Sequence, residues 1–252
     1  MLYLCVPSYN EAPTVGLLLW RVRQVFQEFS REYEVLVFDD ASTDGTRETL
    51  EPYARLMPLT ILGASSRVGY ARAVDALLRA ASERTRYPRR DAVVLLQADL
   101  TDQPEHLPDL VKRFEGGADV VVAERIVGPE APERVRRLAR LVRWLRAVRP
   151  LRRSAWVNGV QDPFGGFRLF RVSVLRDLVR DVGDRPLCSA PGWAANAELL
   201  RAAAHVTRRV ECVAVAPRWD LRPRESRIRP WSDALELARR LWAARRTPRP
   251  AT

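Results

Sequence analysis

The residues best placed to do chemistry follow an apolar run in the middle of the chain. Residues 92–96 are apolar without interruption and predict a strand buried on both faces of a sheet. The run is followed by Gln97, Asp99, Thr101 and Asp102. In an open parallel sheet, ligands bind beyond the carboxyl ends of the strands. A carboxylate such as that of Asp99 can hold a hard divalent cation against a diphosphate there. The alternative is that these residues only end the strand and that Asp99 caps a helix starting at Pro104.

Similar polar clusters follow the other strands that the first half of the sequence predicts. Strands at about 2–7, 34–38, 59–62 and 119–123 alternate with helices at about 15–29, 46–57, 70–82 and 104–115. This alternation predicts an α/β fold with a mostly parallel sheet and helices on both faces. The polar clusters are residues 8–11, 39–40, 65–67, 97–102 and 124–125. Because all five would converge on one edge of the sheet, a binding cleft explains them better than five unrelated turns.

Length and composition restrict the class of protein. A chain of 252 residues can form one large α/β domain, with or without an appendage. No apolar run reaches the roughly 18 residues that a membrane-spanning helix needs. The amino terminus lacks the basic region and cleavage site of a signal peptide, so we expect a cytoplasmic protein. The three cysteines have no paired spacing, which indicates reduced, structural thiols.

The charge of the chain indicates anionic partners. A formal net charge of +11 at pH 7 favours nucleic acid, anionic lipid or phosphorylated substrates. The chain has no recognised nucleic-acid module and no basic surface interleaved with aromatic residues, so nucleic acid is not expected. Residues 63–69 have neither the glycine spacing of a dinucleotide fingerprint nor the Gly-Lys-Ser/Thr ending of a P-loop. Dehydrogenase and P-loop NTPase functions are therefore disfavoured.

Four motifs, in order along the chain, carry a resemblance to a known family. They are Pro7-Ser-Tyr-Asn-Glu11, Asp39-Asp-Ala-Ser-Thr-Asp-Gly-Thr46, the Ala-Asp-Leu-Thr-Asp-Gln-Pro-Glu segment at 98–105, and Asp162-Pro-Phe-Gly-Gly-Phe-Arg168. Together they resemble family 2 glycosyltransferases of the GT-A fold, and most of all polyprenyl-phosphate sugar synthases of the dolichyl-phosphate mannose synthase type. The resemblance implies a GT-A domain over residues 1–228, followed by a helix and an Arg/Pro tail at 229–252.

The resemblance also implies which residues hold the nucleotide-sugar donor. The first motif and the paired aspartates become the nucleoside site, whose members are Pro7, Tyr9, Glu11, Asp39 and Asp40. Carboxylates suit this task because they accept hydrogen bonds from a base N–H or a ribose hydroxyl. Arg67, in the polar cluster at 65–67, joins the donor-binding candidates. Arg222 and Arg227 are assigned to a loop that resembles the family's phosphate-covering segment, although Arg224 and Arg227 replace the glycine and lysine usual there.

The catalytic assignments follow from the same resemblance. Asp99 matches the second aspartate of the Asp-x-Asp motif that ligates Mg²⁺ or Mn²⁺, whereas Gln97 stands in place of the first. An amide can still hydrogen-bond the donor, but it brings no negative charge to the metal. Arg125 matches an arginine that the family places beside the phosphates, and Arg168 ends a Gly-Gly-Phe-Arg segment that resembles the family's Ser-Gly-Phe-Arg. Both are expected to hold the acceptor phosphate, because a guanidinium offers two directed hydrogen bonds. Asp162 is expected to fix the turn that precedes Arg168.

Between these motifs, residues 132–153 form an amphipathic basic segment. Val135, Leu138, Ala139, Val142 and Leu145 fall on one helical stripe, and arginines occupy most other positions. Such a helix favours a membrane interface, with its apolar face in the acyl boundary and Trp144 as an anchor. The alternative is an ordinary amphipathic helix packed on the domain. We therefore expect peripheral association with the cytoplasmic face of an anionic membrane, with a membrane protein as a further candidate partner.

These observations favour a metal-dependent, inverting glycosyltransferase that moves a sugar from a nucleotide-sugar to a polyprenyl phosphate. The expected cofactor is Mg²⁺ or Mn²⁺. One alternative is a glycosyltransferase with a soluble or glycan acceptor. Another is a binding protein for anionic ligands, including nucleic acid, that has lost catalysis.

Overall fold

The computed structural model describes residues 1–147, 157–221 and 230–243. The strands are β1 (Leu2–Ser8), β2 (Tyr33–Asp39), β3 (Leu59–Gly63), β4 (Ala92–Leu95), β5 (Val120–Arg125), β6 (Arg168–Arg171) and β7 (Val210–Val215). The helices are α1 (Ala12–Glu28), α2 (Thr46–Ala54), α3 (Tyr70–Arg84), α4 (Leu107–Glu115), α5 (Glu133–Ala147), α6 (Val172–Val182), α7 (Ala194–Val206) and α8 (Pro230–Ala243). Short 3₁₀ turns lie at Pro104–His106 and Trp219–Leu221. None of the helices in these described ranges is long and apolar enough to cross a membrane.

Seven strands form one mixed sheet in the order β3-β2-β1-β4-β6-β5-β7. All neighbouring strands are parallel except β6, which runs antiparallel to β4 and β5. The carboxyl ends of β1, β2, β4 and β5 therefore lie along one edge of the sheet. Because β6 is reversed, its first residue, Arg168, lies at that same edge, opposite Leu95 and Val122. The predicted convergence of polar clusters on one edge is confirmed.

Both faces of the sheet are covered, because side chains of successive strand residues point to opposite faces. One core contains Cys5, Leu36 and Leu95 and packs under α3, α6 and α7. The other contains Leu4, Val37 and Val94 and packs under α1 and α4. The uninterrupted apolar run of β4 is thereby explained, since a strand buried on both faces needs apolar residues at every position.

The sequence did not predict β6 and α6. Strand β6 has only four residues with an arginine at each end, and α6 begins at Val172 without an intervening loop. Neither alternation nor turn residues separate the two elements. A strand this short has too few residues to show a period of two.

The apolar stripe of α5 is buried, so the prediction that it faces lipid is wrong for the described residues. Val135, Leu138, Val142 and Leu145 all belong to the core, together with Ala234 of α8. Helix α8 packs against α5 and α7, and it thereby covers surface that the sequence left open to a membrane. Trp144, by contrast, is 65% exposed. Residues 148–156 of the predicted amphipathic segment lie outside the described residues, and the proposed boundary at residue 228 stays a prediction.

Candidate active site

The loops after β1 and β2 are joined into one unit by hydrogen bonds. The Asn10 N–H donates to Ser42 Oγ over 2.9 Å, and the Thr43 N–H donates to Asn10 Oδ1 over 2.9 Å. The Glu11 N–H donates to Thr46 Oγ1 over 2.8 Å. Two sequence motifs that are about thirty residues apart therefore build a single lobe of the cleft.

Asp40 fixes a third loop to this lobe. Its carboxylate, buried at the end of β2, accepts hydrogen bonds from the N–H groups of Val68 (2.6 Å) and Gly69 (2.9 Å). The Arg67 guanidinium consequently lies over the Tyr9 ring, 3.9 Å from its centre, and its Nε is 3.9 Å from Asp40 Oδ2. The sequence assigned Tyr9, Asp40 and Arg67 to the donor site, and the fold brings all three together.

Backbone strain is concentrated along the same edge. The non-glycine residues with positive φ in the described ranges are Asn10 (53°), Ala41 (54°) and Leu100 (62°). Each follows the carboxyl end of a different strand, β1, β2 or β4. This conformation costs about 1–2 kcal/mol for a side-chain-bearing residue, and such strain clusters at functional sites.

The end of β4 carries the candidate metal ligand. Asp99 is buried, and its Oδ1 accepts a hydrogen bond from the Thr101 N–H over 3.1 Å. Ser8 Oγ, Thr101 Oγ1 and Asp102 Oδ2 are buried polar atoms without a hydrogen-bond partner within the described part of the chain. Burial raises the pKa of Asp102 to about 7; Arg125 opposes the rise and Asp99 adds to it. Two carboxylates and two hydroxyls thus lie at or close to this edge of the sheet.

These residues fit a Mg²⁺ or Mn²⁺ ion that is shared with a substrate. No group of three His, Cys, Asp or Glu side chains within residues 1–147, 157–221 and 230–243 could enclose a metal on its own. Magnesium is usually held by one or two carboxylates together with substrate phosphates and water, rather than by a complete protein cage. Asp99 could supply one hard oxygen ligand of this type. The partnerless oxygens of Thr101 and Asp102 are chemically suitable neighbours.

Arg125 and Asp162 form a buried ion pair at the end of β5. The guanidinium Nε lies 2.6 Å from Asp162 Oδ2, and Nη2 lies 3.2 Å from Oδ1. Burial acts to raise the pKa of Asp162, but Arg125, Arg168 and the Gly165 N–H together outweigh it and leave that pKa below its usual value. Asp162 Oδ1 also accepts the N–H groups of Phe164 (3.1 Å) and Gly165 (3.0 Å). Asp162 therefore holds its own turn, as the sequence indicated, and holds Arg125 as well.

Arg168 has different contacts from those that the sequence suggested. The side chain is 1% exposed, and it donates through Nη1 to the Asn196 carbonyl and through Nη2 to the Pro163 carbonyl at 2.6 Å. Its burial lowers its pKa to about 10. These contacts join α7 to the loop before β6. They favour a positioning role for Arg168, because its directed donors reach backbone carbonyls instead of the open edge of the cleft.

The side chains of Tyr70 and Asn196 were not predicted from the sequence to belong to the site. Gln97 Nε2 donates to Tyr70 Oη over 2.9 Å, Tyr70 Oη donates to Asn196 Oδ1 over 2.8 Å, and Asn196 Nδ2 donates to the Phe164 carbonyl over 3.0 Å. Tyr70 and Asn196 are 126 residues apart, and no spacing links them. The amide nitrogen of Gln97 donates to Tyr70, and the contact of Gln97 with the donor stays a prediction. The predicted contacts of Arg222 and Arg227 lie outside the described residues.

The comparisons place this site within a class of enzymes. The profile of Glycosyl transferase family 2 matches residues 3–179, and the chain belongs to this family. Crystal structures of glucosyl-3-phosphoglycerate synthase from Mycobacterium tuberculosis, one of them with Mn²⁺ and uridine diphosphate, align with 97% of this chain and 78% of theirs. That alignment has a TM-score of 0.61 at 20% identity. The fold is therefore GT-A, as expected from the sequence.

Two curated relatives are similar over a little less than half of the chain. The undecaprenyl-phosphate 4-deoxy-4-formamido-L-arabinose transferase of Aeromonas hydrophila is 34% identical over 116 residues, which is 46% of this chain and 34% of the relative. The dolichol-phosphate mannosyltransferase of Pyrococcus furiosus is 29% identical over 122 residues, or 48% of this chain and 32% of the relative. Each match spans about a third of the relative's length.

Proposed function

We propose that this protein transfers a sugar from a nucleotide-sugar to the phosphate of a polyprenyl lipid, with inversion at the anomeric carbon. The observation that carries the proposal is the edge of the sheet described above. There the two family motifs form one lobe, Asp99 lies beside it, and the buried Arg125–Asp162 pair lies at the end of β5. The similar relatives named for undecaprenyl- and dolichol-phosphate sugar transfer favour a lipid phosphate as the acceptor.

In this proposal, the first two motifs hold the donor nucleoside. The Arg67 guanidinium lies over the Tyr9 ring, and Asp40 holds the loop that carries Arg67. Asp39 and Glu11, both buried, supply carboxylates that can accept hydrogen bonds from a base or a ribose. Pro7 shapes the end of β1. Bound at Asp99, Mg²⁺ or Mn²⁺ would offset the negative charge that develops on the departing nucleoside diphosphate.

The acceptor supplies its own nucleophile. An oxygen of the lipid phosphate attacks the anomeric carbon while the bond from that carbon to the donor diphosphate breaks. A phosphate monoester has a second pKa of about 6, so it is largely dianionic at neutral pH and needs no protein base. Arg125 lies at this edge and is proposed to offset part of the repulsion between the two phosphate groups, although its pairing with Asp162 reduces the net charge that it brings.

The acceptor also implies a membrane surface. We propose that the chain binds the cytoplasmic face of an anionic membrane through the α5 basic face, which comprises Arg136, Arg140 and Arg143, with Trp144 as an exposed anchor. Arg136 and Arg140 pair with Glu133 at 2.7 and 2.9 Å, yet their side chains are 42% and 66% exposed. Basic residues near an anionic surface contribute about 1 kcal/mol each. The buried apolar stripe takes no part in this contact.

The test is a transfer reaction with identified products. The protein is incubated with a panel of nucleotide-sugars and Mg²⁺ or Mn²⁺, and each mixture receives either a short polyprenyl phosphate or a water-soluble phosphate monoester. Mass spectrometry of the products should find a glycosylated lipid phosphate with at least one donor. Transfer to the soluble acceptor alone would replace the proposed function with the soluble-acceptor alternative. Nucleotide binding without transfer to either acceptor would favour a binding protein.

A further inference from the structure

The hydrogen bonds that start at Gln97 can run in one direction only. Their far end is the Phe164 carbonyl, which only accepts, so the group of Asn196 that faces it must be the amino group. The other end of that amide, Oδ1, therefore faces Tyr70 and requires a donor. Tyr70 satisfies it with its hydroxyl hydrogen and leaves its oxygen to accept. Residue 97 must therefore donate the hydrogen bond that the Tyr70 oxygen accepts. An amide N–H can donate this bond, whereas an ionised carboxylate cannot.

The environment of this network keeps the direction fixed. Burial raises the pKa of Tyr70 above its usual range, so the hydroxyl stays protonated and remains a donor. Asn196 is 1% exposed, so water cannot easily replace a lost donor to it. A side chain added at Gly166 would collide with Gln97 Nε2, so the backbone of the Asp162–Arg168 segment lies directly against the amide.

We infer that Gln97 is a positioning residue that fastens the Asp162–Arg168 segment to the end of β4, and that a carboxylate at position 97 is incompatible with this arrangement. The network reaches Phe164, and Arg168 reaches Pro163 and the carbonyl of Asn196, so both bind the same segment to α7. That segment carries Asp162, the partner of Arg125. The catalytic consequence rests on the proposed function, whereas the structural one does not.

An aspartate at position 97 would not simply add a second metal ligand beside Asp99. If Gln97 were a weakened ligand, replacing it by aspartate would restore an Asp-x-Asp pair and tighten metal binding. In the structure, an aspartate at 97 would be one methylene shorter and would lack the donor that Tyr70 requires. Tyr70 would have to turn its hydroxyl towards residue 97, which leaves Asn196 Oδ1 buried without a donor. The cleft therefore relies on Asp99 for the charge that the Asp-x-Asp pair would otherwise provide.

The structural test is a double-mutant cycle that uses Gln97→Glu, which is close to isosteric, and Tyr70→Phe. Each single variant should lower the melting temperature by roughly 3–10 °C, because each leaves a buried polar group unpaired. The double variant should lose less than the sum of the two single losses, since each single change deprives Asn196 Oδ1 of the same donor. Gln27→Glu, on the exposed side of α1, introduces the same charge change and should leave the melting temperature unaltered. Additive losses from the two single variants would overturn the inference.

The functional test compares Gln97→Asp and Tyr70→Phe with the unmodified protein. We expect kcat for lipid glycosylation to fall about 10- to 100-fold in both variants, because the Asp162–Arg168 segment is displaced and Asp162 no longer holds Arg125 in place. The KM for the donor and the calorimetric Kd for Mn²⁺ should change less than about threefold, since Asp99 is untouched. Tighter Mn²⁺ binding by Gln97→Asp with unchanged kcat would refute the inference. If the unmodified protein transfers no sugar, the proposed function fails while the melting cycle still decides the role of Gln97.

Discussion

Replacing Asp162 by asparagine should destabilise the protein more than any surface ion-pair change. The substitution keeps Oδ1 to accept the N–H groups of Phe164 and Gly165, and it replaces Oδ2, which accepts from Arg125 Nε, by an uncharged amino group. The side chains of Arg125 and Asp162 are 6% and 17% exposed. Removing one member of a buried pair costs about 3–5 kcal/mol, because the other charge is left in a low-dielectric environment.

This energy should be visible in thermal unfolding. For a domain of this size, each kcal/mol corresponds to about 2–4 °C, so the melting temperature of Asp162→Asn should fall by roughly 6–20 °C. The matched control is Asp177→Asn, which breaks the Arg180–Asp177 pair at 3.0 Å, where the side chains are 76% and 47% exposed. Exposed pairs contribute only about 0–1 kcal/mol. The control should therefore melt within a few degrees of the unmodified protein.

The pH dependence provides a second check on the same pair. The pKa of Asp162 is lowered in the folded protein, so its contribution to stability is present above the ordinary carboxyl pKa and is lost as the pH falls through the folded value. The difference in stability between the unmodified protein and Asp162→Asn should stay constant from about pH 5 to 8 and shrink in more acidic solution. Equal melting of Asp162→Asn and Asp177→Asn at pH 7 would refute the account of this pair.

Three further predictions concern the metal, Asp102 and the membrane. Asp99→Asn should abolish transfer and calorimetric Mn²⁺ binding while it leaves the circular dichroism spectrum unchanged; full activity in this variant, or with excess chelator, would contradict the metal assignment. Burial raises the pKa of Asp102 to about 7, so between about pH 4 and 7 the folded protein holds a proton that the unfolded chain has released. The free energy of unfolding of Asp102→Asn should therefore rise relative to that of the unmodified protein over this range, by at most about 1.4 kcal/mol per pH unit. A difference in urea unfolding that does not change with pH would contradict this prediction. Changing the three arginines of the α5 basic face to glutamate should lower binding to anionic liposomes about 100-fold or more, and binding of the unmodified protein should weaken with salt. The same change at Arg86, Arg89 and Arg90, which precede β4 at the opposite edge of the sheet, should have a much smaller effect. Equal losses of binding in liposome sedimentation would show that only net charge matters.

The location of the site could be predicted from the sequence because it depends on a rule of topology. Parallel strands present their carboxyl ends along one edge, so polar residues after β1, β2, β3, β4 and β5 had to meet there. Tyr9, Asp40 and Arg67 illustrate this, since each follows a different strand and Arg67 contacts both of the others. The turn role of Asp162 could be predicted for a different reason, because its carboxylate accepts hydrogen bonds from backbone N–H groups only two and three residues further on.

The contacts within the site could not be predicted, because they depend on packing between distant elements. Arg168 was expected to face phosphate, but the reversed strand β6 buries its side chain against carbonyls of α7 and of the preceding loop. Tyr70 and Asn196 meet only because α3 and α7 cover the same face of the sheet. The stripe of α5 was open to two interpretations, and the packing of α8 decided between them. Periodicity shows that a helical face is apolar, but it does not show what covers that face.

The central claim is that the acceptor's own phosphate supplies the nucleophile at this edge of the sheet. It is tested most directly by offering the protein a polyprenyl phosphate and the polyprenol of the same chain length, with one donor and Mn²⁺, and by identifying the lipid products by mass spectrometry. The account predicts a glycosylated lipid phosphate from the first acceptor and no product from the second, because an alcohol needs a base that the proposed mechanism does not use. Comparable glycosylation of the polyprenol would contradict the account.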